Sequence, residues 1–130
     1  MKVTGLDHQV STVSDIATTV AFYQDILGME PQEFKAIDGS ARTYLDFGTQ
    51  KISLHAAENT LKPYTHAPTT GRANLCLLLN SPLDAWIDHL KSKKVDFIDS
   101  PVLQSGARHR ITSIYLRDPD LNLTEVSIYA

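Results

Sequence analysis

The sequence is poor in sulfur, with one cysteine and two methionines among its 130 residues. A lone Cys76 excludes an internal disulfide framework, and its place in LCLLL reads as a small core side chain. No apolar run approaches the roughly 18 residues that span a bilayer. The opening MKVTGLDH lacks the apolar stretch of a secretory leader. Charge of one sign is missing too: 12 basic against 15 acidic residues leave a net charge of −3, without the basic footprint of a nucleic-acid binder. The expectation is a cytoplasmic protein that engages neither nucleic acid nor membrane. What is present is an ordinary globular composition, 42% hydrophobic and 21% charged, enough for one domain with a real core.

Patterning divides that domain into two halves with one order of elements. VTGLDHQVSTV is rich in β-branched residues and predicts a strand. Ser14 is then a candidate N-cap, Asp15 suits the positive end of a helix, and Gly28 can end it. Ile16, Val20, Tyr23 and Leu27 recur between them as one helical stripe. Strands follow around EPQEFKAI, ARTYLDFG and KISLHA, with turns at Asp38-Gly39 and Gly48-Thr49-Gln50. After the polar loop ENTLKPYTHAPTTG the order repeats. RANLCLLL predicts a strand, and Ser81, Pro82 and Asp84 open a helix as N-cap, first residue and capping box. Its stripe is Leu83, Trp86, Ile87 and Leu90, and VDFIDSPVL, RITSIYLR and LTEVSIYA complete the half. The predicted class is α+β: a single domain of two βαβββ modules, about 1–58 and 71–130 around a loop at 59–70. Together they would form a curved mixed sheet with an open concave face.

Strand alternation selects the side chains on that face. In KISLHA, Ile52 and Leu54 point toward the helix, while Ser53 and His55 point away. In LTEVSIYA, Leu123, Glu125, Ser127 and Tyr129 oppose Thr124, Val126 and Ile128. Superposing the halves matches His8 with Asn74 and His55 with Glu125. A carboxylate on an apolar surface is costly unless paired. Two imidazoles and one carboxylate around a divalent cation, with positions left open, would resolve that cost and suit a catalytic metal. Tyr115 alternates with Ser113 and Arg117 and is a candidate proton or hydrogen-bond donor in the cup. His66, His89 and His109 read as solvated, and Arg42, Arg72 and Arg110 are candidate anion holders.

LDHQV, FYQDILGME, KISLH and SIYLRDPDLNLTEVS together resemble the vicinal oxygen chelate superfamily. That superfamily spans glyoxalases, bleomycin resistance proteins and extradiol dioxygenases, and within it the chain is similar to small bacterial glyoxalase domain-containing proteins. The resemblance implies a metal-binding cup with His8, His55 and Glu125 at ligand positions and a divalent ion (Ni, Zn, Mn or Fe(II)) as cofactor. Asn74 stands where relatives usually have His and would bind substrate, with Glu125 and Tyr115 the catalytic candidates. The implied activity is metal-assisted lyase or isomerase chemistry on a small substrate with vicinal oxygens. An extradiol-type Fe(II) dioxygenase and a non-catalytic binding protein are the alternatives, and a homodimer is expected. Leu121 departs from the family by replacing the usual Gly of DPDGN, at a position where a left-handed backbone would cost about 1 kcal/mol.

Overall fold

Ten elements alternate along the chain, and the computed structural model describes residues 1–59, 62–98 and 101–129. The first half contains β1 (His8–Val13), α1 (Ile16–Asp25), β2 (Glu30–Lys35), β3 (Ala41–Phe47) and β4 (Gln50–Ala56). The second contains β5 (Asn74–Leu78), α2 (Leu83–Ser92), β6 (Val102–Ser105), β7 (Arg110–Arg117) and β8 (Leu123–Tyr129). Each half is a βαβββ module with its own four-stranded mixed sheet, in the orders β1-β4-β3-β2 and β5-β8-β7-β6. The α+β class expected from the pattern is therefore present in both halves. Two compact units result, Met1–Gly71 and Arg72–Ala130, called module one and module two below. No helix among the described residues is long and apolar enough to cross a membrane.

In module one the parallel pair β1·β4 sits beside the antiparallel ladder β4·β3·β2. Val13, Tyr23, Leu45, Ile52 and Leu54 are buried as the alternation requires. The helix begins one residue later than the sequence suggests: Asp15, not Ser14, is the N-cap, and its carboxylate accepts from Thr18 N at 3.2 Å. Aspartate reaches the free amide of the first turn with an ionised acceptor, so it wins the cap. Thr19 joins the buried stripe because its hydroxyl bonds the Asp15 carbonyl at 3.0 Å. Gly28 closes the helix at φ +68, the left-handed conformation that disfavours any Cβ.

Module two repeats the arrangement, with parallel β5·β8 beside antiparallel β8·β7·β6. Leu83 and Leu90 of α2 are buried, along with Ile111, Ile114, Leu116 and Val126. The predicted capping box is displaced. Pro82 occupies the cap position without a side-chain bond, and Asp84 accepts from the neighbouring Ala85 N at 2.9 Å. Within VDFIDSPVL, Phe97 makes one bridge to Leu116 and the strand proper is Val102–Ser105; residues 99 and 100 lie outside the described residues. Gly106 permits the β6–β7 hairpin, since a Cβ there would meet the His109 carbonyl at 2.6 Å.

The turn into β8 is held by side chains. Asp118 Oδ1 accepts from Asp120 N at 2.9 Å and Asn122 N at 3.0 Å, and its Oδ2 accepts from Asn122 Nδ2 at 2.8 Å. Asn122 Oδ1 in turn accepts from Ala73 N at 2.7 Å, fastening the start of β5 to the turn. Leu121 sits between them at φ +65, so the strain expected at this position is present.

Candidate functional site

The face of module two turned away from its helix carries a rung of three functional side chains. Glu125 of β8 lies opposite Cys76 of β5 on one side and Tyr115 of β7 on the other. In-register neighbours point to the same face, so all three converge there. They line a concavity of about 340 Å³ that also takes in Leu78, Gln104, Ile111 and Tyr129.

Glu125 is half-buried, and its Oε2 accepts from Ser113 Oγ at 2.5 Å and from Ser127 Oγ at 3.5 Å. Tyr115 Oη accepts from Gln104 Nε2 at 3.0 Å, which leaves its own O–H to face Glu125. Burial, reinforced by the charge of Glu125 and opposed by the Gln104 bond, raises the Tyr115 pKa above its ordinary value. At neutral pH this side chain is a phenol, an acid or donor and not a base. Burial likewise holds the Cys76 thiol up, opposed by its hydrogen bond with Ser127 and reinforced by the charge of Glu125. Cys76 is exposed on this face, contrary to its reading as core, because β5 is an edge strand.

Module one places His8 and His55 on one face as well, yet not side by side. His8 stands opposite Lys51 and His55 opposite Thr12. The two rings therefore start four residues apart along the ladder, about 13 Å at a strand rise of about 3.3 Å. Nitrogens sharing one cation lie about 3–4 Å apart, given metal–nitrogen bonds of about 2 Å. His8 Nδ1 contacts Asp7 Oδ1 at 2.9 Å, which favours the proton on Nδ1 and leaves the Nε2 lone pair available. His55 is half-buried, and burial followed by the charge of Arg42 lowers its pKa.

Register also corrects the matching of the halves. His8 pairs with Lys51 and Asn74 with Leu123, so once His8 and Asn74 are superposed, Glu125 corresponds to Ser53 and His55 to Ser127. The sequence pattern matches His55 with Glu125 because alternation has period two, and a slip of two residues leaves every side chain on its face. Asn74 and Glu125 are diagonal neighbours, within reach of one small ligand.

Among the described residues, no three of His, Cys, Asp and Glu are gathered as a metal cluster. What does fit a cation is the environment of Glu125. It is a half-buried carboxylate facing a concavity, with one oxygen held by hydroxyls and no Lys, Arg or His paired to it among the described residues. Such a charge is best offset by a positive partner. His89 and His109 are ring neighbours of Trp86 and Tyr129; His89 is half-buried, and His66 and His109 are exposed.

The family model for the Glyoxalase/Bleomycin resistance protein/Dioxygenase superfamily matches residues 5–126, and the chain belongs to that superfamily. Members typically depend on a metal ion, bind small molecules and form dimers. The chain is 41% identical over 124 residues to virulence protein STM3117 of Salmonella typhimurium, across 95% of this chain and 83% of that protein. The crystal structure of that protein superposes with a TM-score of 0.93 at 40% identity over the whole of both chains. An integron cassette protein from the mobile metagenome of V. cholerae gives a TM-score of 0.93 at 43% identity, covering 100% of this chain and 98% of that one. Glyoxalase domain-containing protein RDO1 of Mycosarcoma maydis is 37% identical over 129 residues, 99% of this chain and 70% of that protein.

Sequence reasoning does not single out Ser113, Ser127 or Gln104 as site residues. Their signal is the same alternation that selects Tyr115 and Glu125, applied to residue types that carry no chemistry until a partner is seen.

Proposed function

We propose that the chain is a metal-dependent glyoxalase-like enzyme of the lyase or isomerase type, acting on a small substrate with vicinal oxygens. The observation that carries this reading is Glu125, a carboxylate without a cationic partner facing a concavity beside a protonated tyrosine. Glu125 and the Nε2 of His8 are the ligands of a divalent ion, and Asn74 hydrogen-bonds the substrate diagonally across from Glu125. When bound, the ion supplies Lewis-acid polarisation of the substrate oxygens. Tyr115 donates its phenolic hydrogen to the oxygen on which negative charge develops, with Gln104 fixing the phenol's direction. His55, beside Arg42 on module one, is not a ligand in this reading.

The separation of His8 and His55 withholds the two-histidine, one-carboxylate triad of a non-haem iron oxygenase, which leaves the dioxygenase reading with less support. A pure binding protein is favoured by one feature, the neutral Asn74 where a third strong donor would stand.

Protein purified without chelator or affinity tag tests the proposal by metal analysis. Stoichiometric metal is expected, lost in His8→Ala and Glu125→Gln and retained in His55→Ala and Tyr115→Phe. Tyr115→Phe should lower turnover by about 10²–10⁴-fold. Uptake of Ni, Zn, Mn or Fe(II) no tighter than micromolar would make the chain a binding protein. The proposed assembly is a homodimer, expected as a single dimeric species in sedimentation at tens of micromolar. Mixing His8→Ala with Glu125→Gln chains restores activity when each site draws its modules from two chains, and not when one chain supplies both.

A further inference from the structure

The sequence offers three arginines as anion holders, and the structure separates them. Arg72 is exposed ahead of β5. Arg110 is exposed and alternates with Ile111 of the concavity, so it points away from that face of module two. Arg42 is half-buried on module one, on the face of β3 opposite the buried Leu45. It is the next position along from the Thr43–Leu54 pair, which sets it opposite His55.

Two adjacent rungs of this face hold donors that no acceptor uses. Thr12, His55, Arg42 and Phe34 make one, and Val10, Ser53, Tyr44 and Gln32 make the other. Neither rung carries an acid. The Ser53 and Tyr44 hydroxyls and the His55 ring are half-buried without a hydrogen-bond partner among the described residues. Arg42 reaches the β2–β3 turn only at length: Nε donates to Ser40 Oγ and Nη2 to Asp38 Oδ2, each at 3.4 Å. Those contacts orient the guanidinium and leave Nη1 unengaged. Lys51 belongs to the following rung, with the acids Asp46 and Glu30, yet it pairs with neither among the described residues. Its Nζ lies instead 4.6 Å from the Tyr44 ring centre and 5.4 Å from that of Phe34. The ammonium is thus carried off its own rung and over the two that hold the donors.

We infer that this face of module one is an oxyanion-binding site, taking a carboxylate or phosphate group of a small molecule. Arg42 offers it a planar fork that matches two oxygens at once. Tyr44, Ser53 and His55 add neutral donors, and Lys51 supplies a second positive charge. His55 acts as a neutral imidazole, because burial and then the charge of Arg42 keep it from taking up a proton at neutral pH. The site needs no metal and does not depend on the role proposed for Glu125.

Amide NMR titration of the full chain with sodium phosphate and, separately, sodium acetate tests this, with ionic strength held constant by sodium chloride. Saturable shifts are expected, centred on amides 40–44 and 51–55, and the tighter anion identifies the group as phosphate or carboxylate. Arg42→Gln should weaken binding about 10–100-fold, and Arg42→Lys should recover only part of it because the fork is lost. Arg72→Gln, Arg110→Gln and Glu125→Gln should bind as wild type does. Shifts that never saturate, or that chloride alone reproduces, overturn the site. Wild-type affinity in Arg42→Gln overturns it as well, and so does an equal loss in Arg110→Gln, which would make binding a matter of net charge. Should Arg42→Gln fail to fold, Lys51→Met and Ser53→Ala decide: weaker binding in either supports the site, and unchanged binding in both overturns it. None of these outcomes bears on the metal content of the Glu125 variants, so the two readings fail separately.

Discussion

The two modules share one order of elements but differ in what they bury. Of the six polar or charged side chains buried among the described residues, module one holds only Thr19. Ser113, Asp118, Asn122, Thr124 and Ser127 all belong to module two. Buried polar groups are costly unless bonded, so their concentration marks where the fold carries polarity for a purpose. In module two they serve the turn into β8 and the carboxylate on it. Module one makes its corresponding turn with Gly48 at φ +53 and no buried side chain.

The sharpest way to break this contrast is to remove an aspartate from a turn in each module. Asp118→Ala strips Asn122 and two backbone amides of a buried acceptor, and should cost about 3 kcal/mol in urea unfolding. Asp38 also accepts from a turn, through Ser40 N at 2.9 Å and Ser40 Oγ at 2.6 Å, but in solvent. Asp38→Ala should cost no more than about 0.5 kcal/mol. Equal losses would mean that module two's buried clasp contributes no more than an exposed turn.

A threonine exchange sharpens the comparison at lower cost. Thr124 Oγ1 is the one buried side-chain N or O found without a hydrogen-bond partner among the described residues. Thr124→Val should raise stability by about 1 kcal/mol. Thr19 Oγ1 is satisfied by the Asp15 carbonyl, so Thr19→Val should lower it by about the same amount. Left-handed positions give a similar opposition. Leu121→Gly relieves φ +65 on an exposed side chain and should gain about 0.5–1 kcal/mol, whereas Gly28→Ala introduces a Cβ at φ +68 and should lose about 1 kcal/mol.

Much of this architecture is readable in the chain, and the reasons are local. Period-two and helical stripes locate β3, β4, β7, β8 and both helices, and Gly28 and the strained Leu121 declare their own backbone. Caps fall one residue from their expected places because Ser14 and Asp15, or Ser81 and Pro82, compete for one position and only geometry selects. The site is readable as a face and not as a set of neighbours. Alternation puts His8, His55, Tyr115 and Glu125 on concave surfaces, but rung number depends on strand pairing, which no single strand encodes. Hence the pattern matches His55 to Glu125, two residues out of register. The serines behind Glu125 stay silent because a hydroxyl becomes informative only once its acceptor is known.

The smallest expected effect concerns His55, the titrating group that distinguishes module one's concave face from that of module two. Burial is the larger cause of its lowered pKa, and the nearby charge of Arg42 adds to it. In the unfolded chain an imidazole takes up its proton near pH 6.5, while in the folded chain it does so only at lower pH. Between those values the unfolded state binds more protons, so stability is full above about pH 6.5 and is lost as pH falls through the window toward the folded pKa. Unfolding midpoints of metal-free protein should decline modestly over that interval, and His55→Gln should flatten this part of the profile. Arg42→Gln should flatten it only in part, because the guanidinium is the lesser cause. A decline unchanged in His55→Gln would place the acid-sensitive group elsewhere.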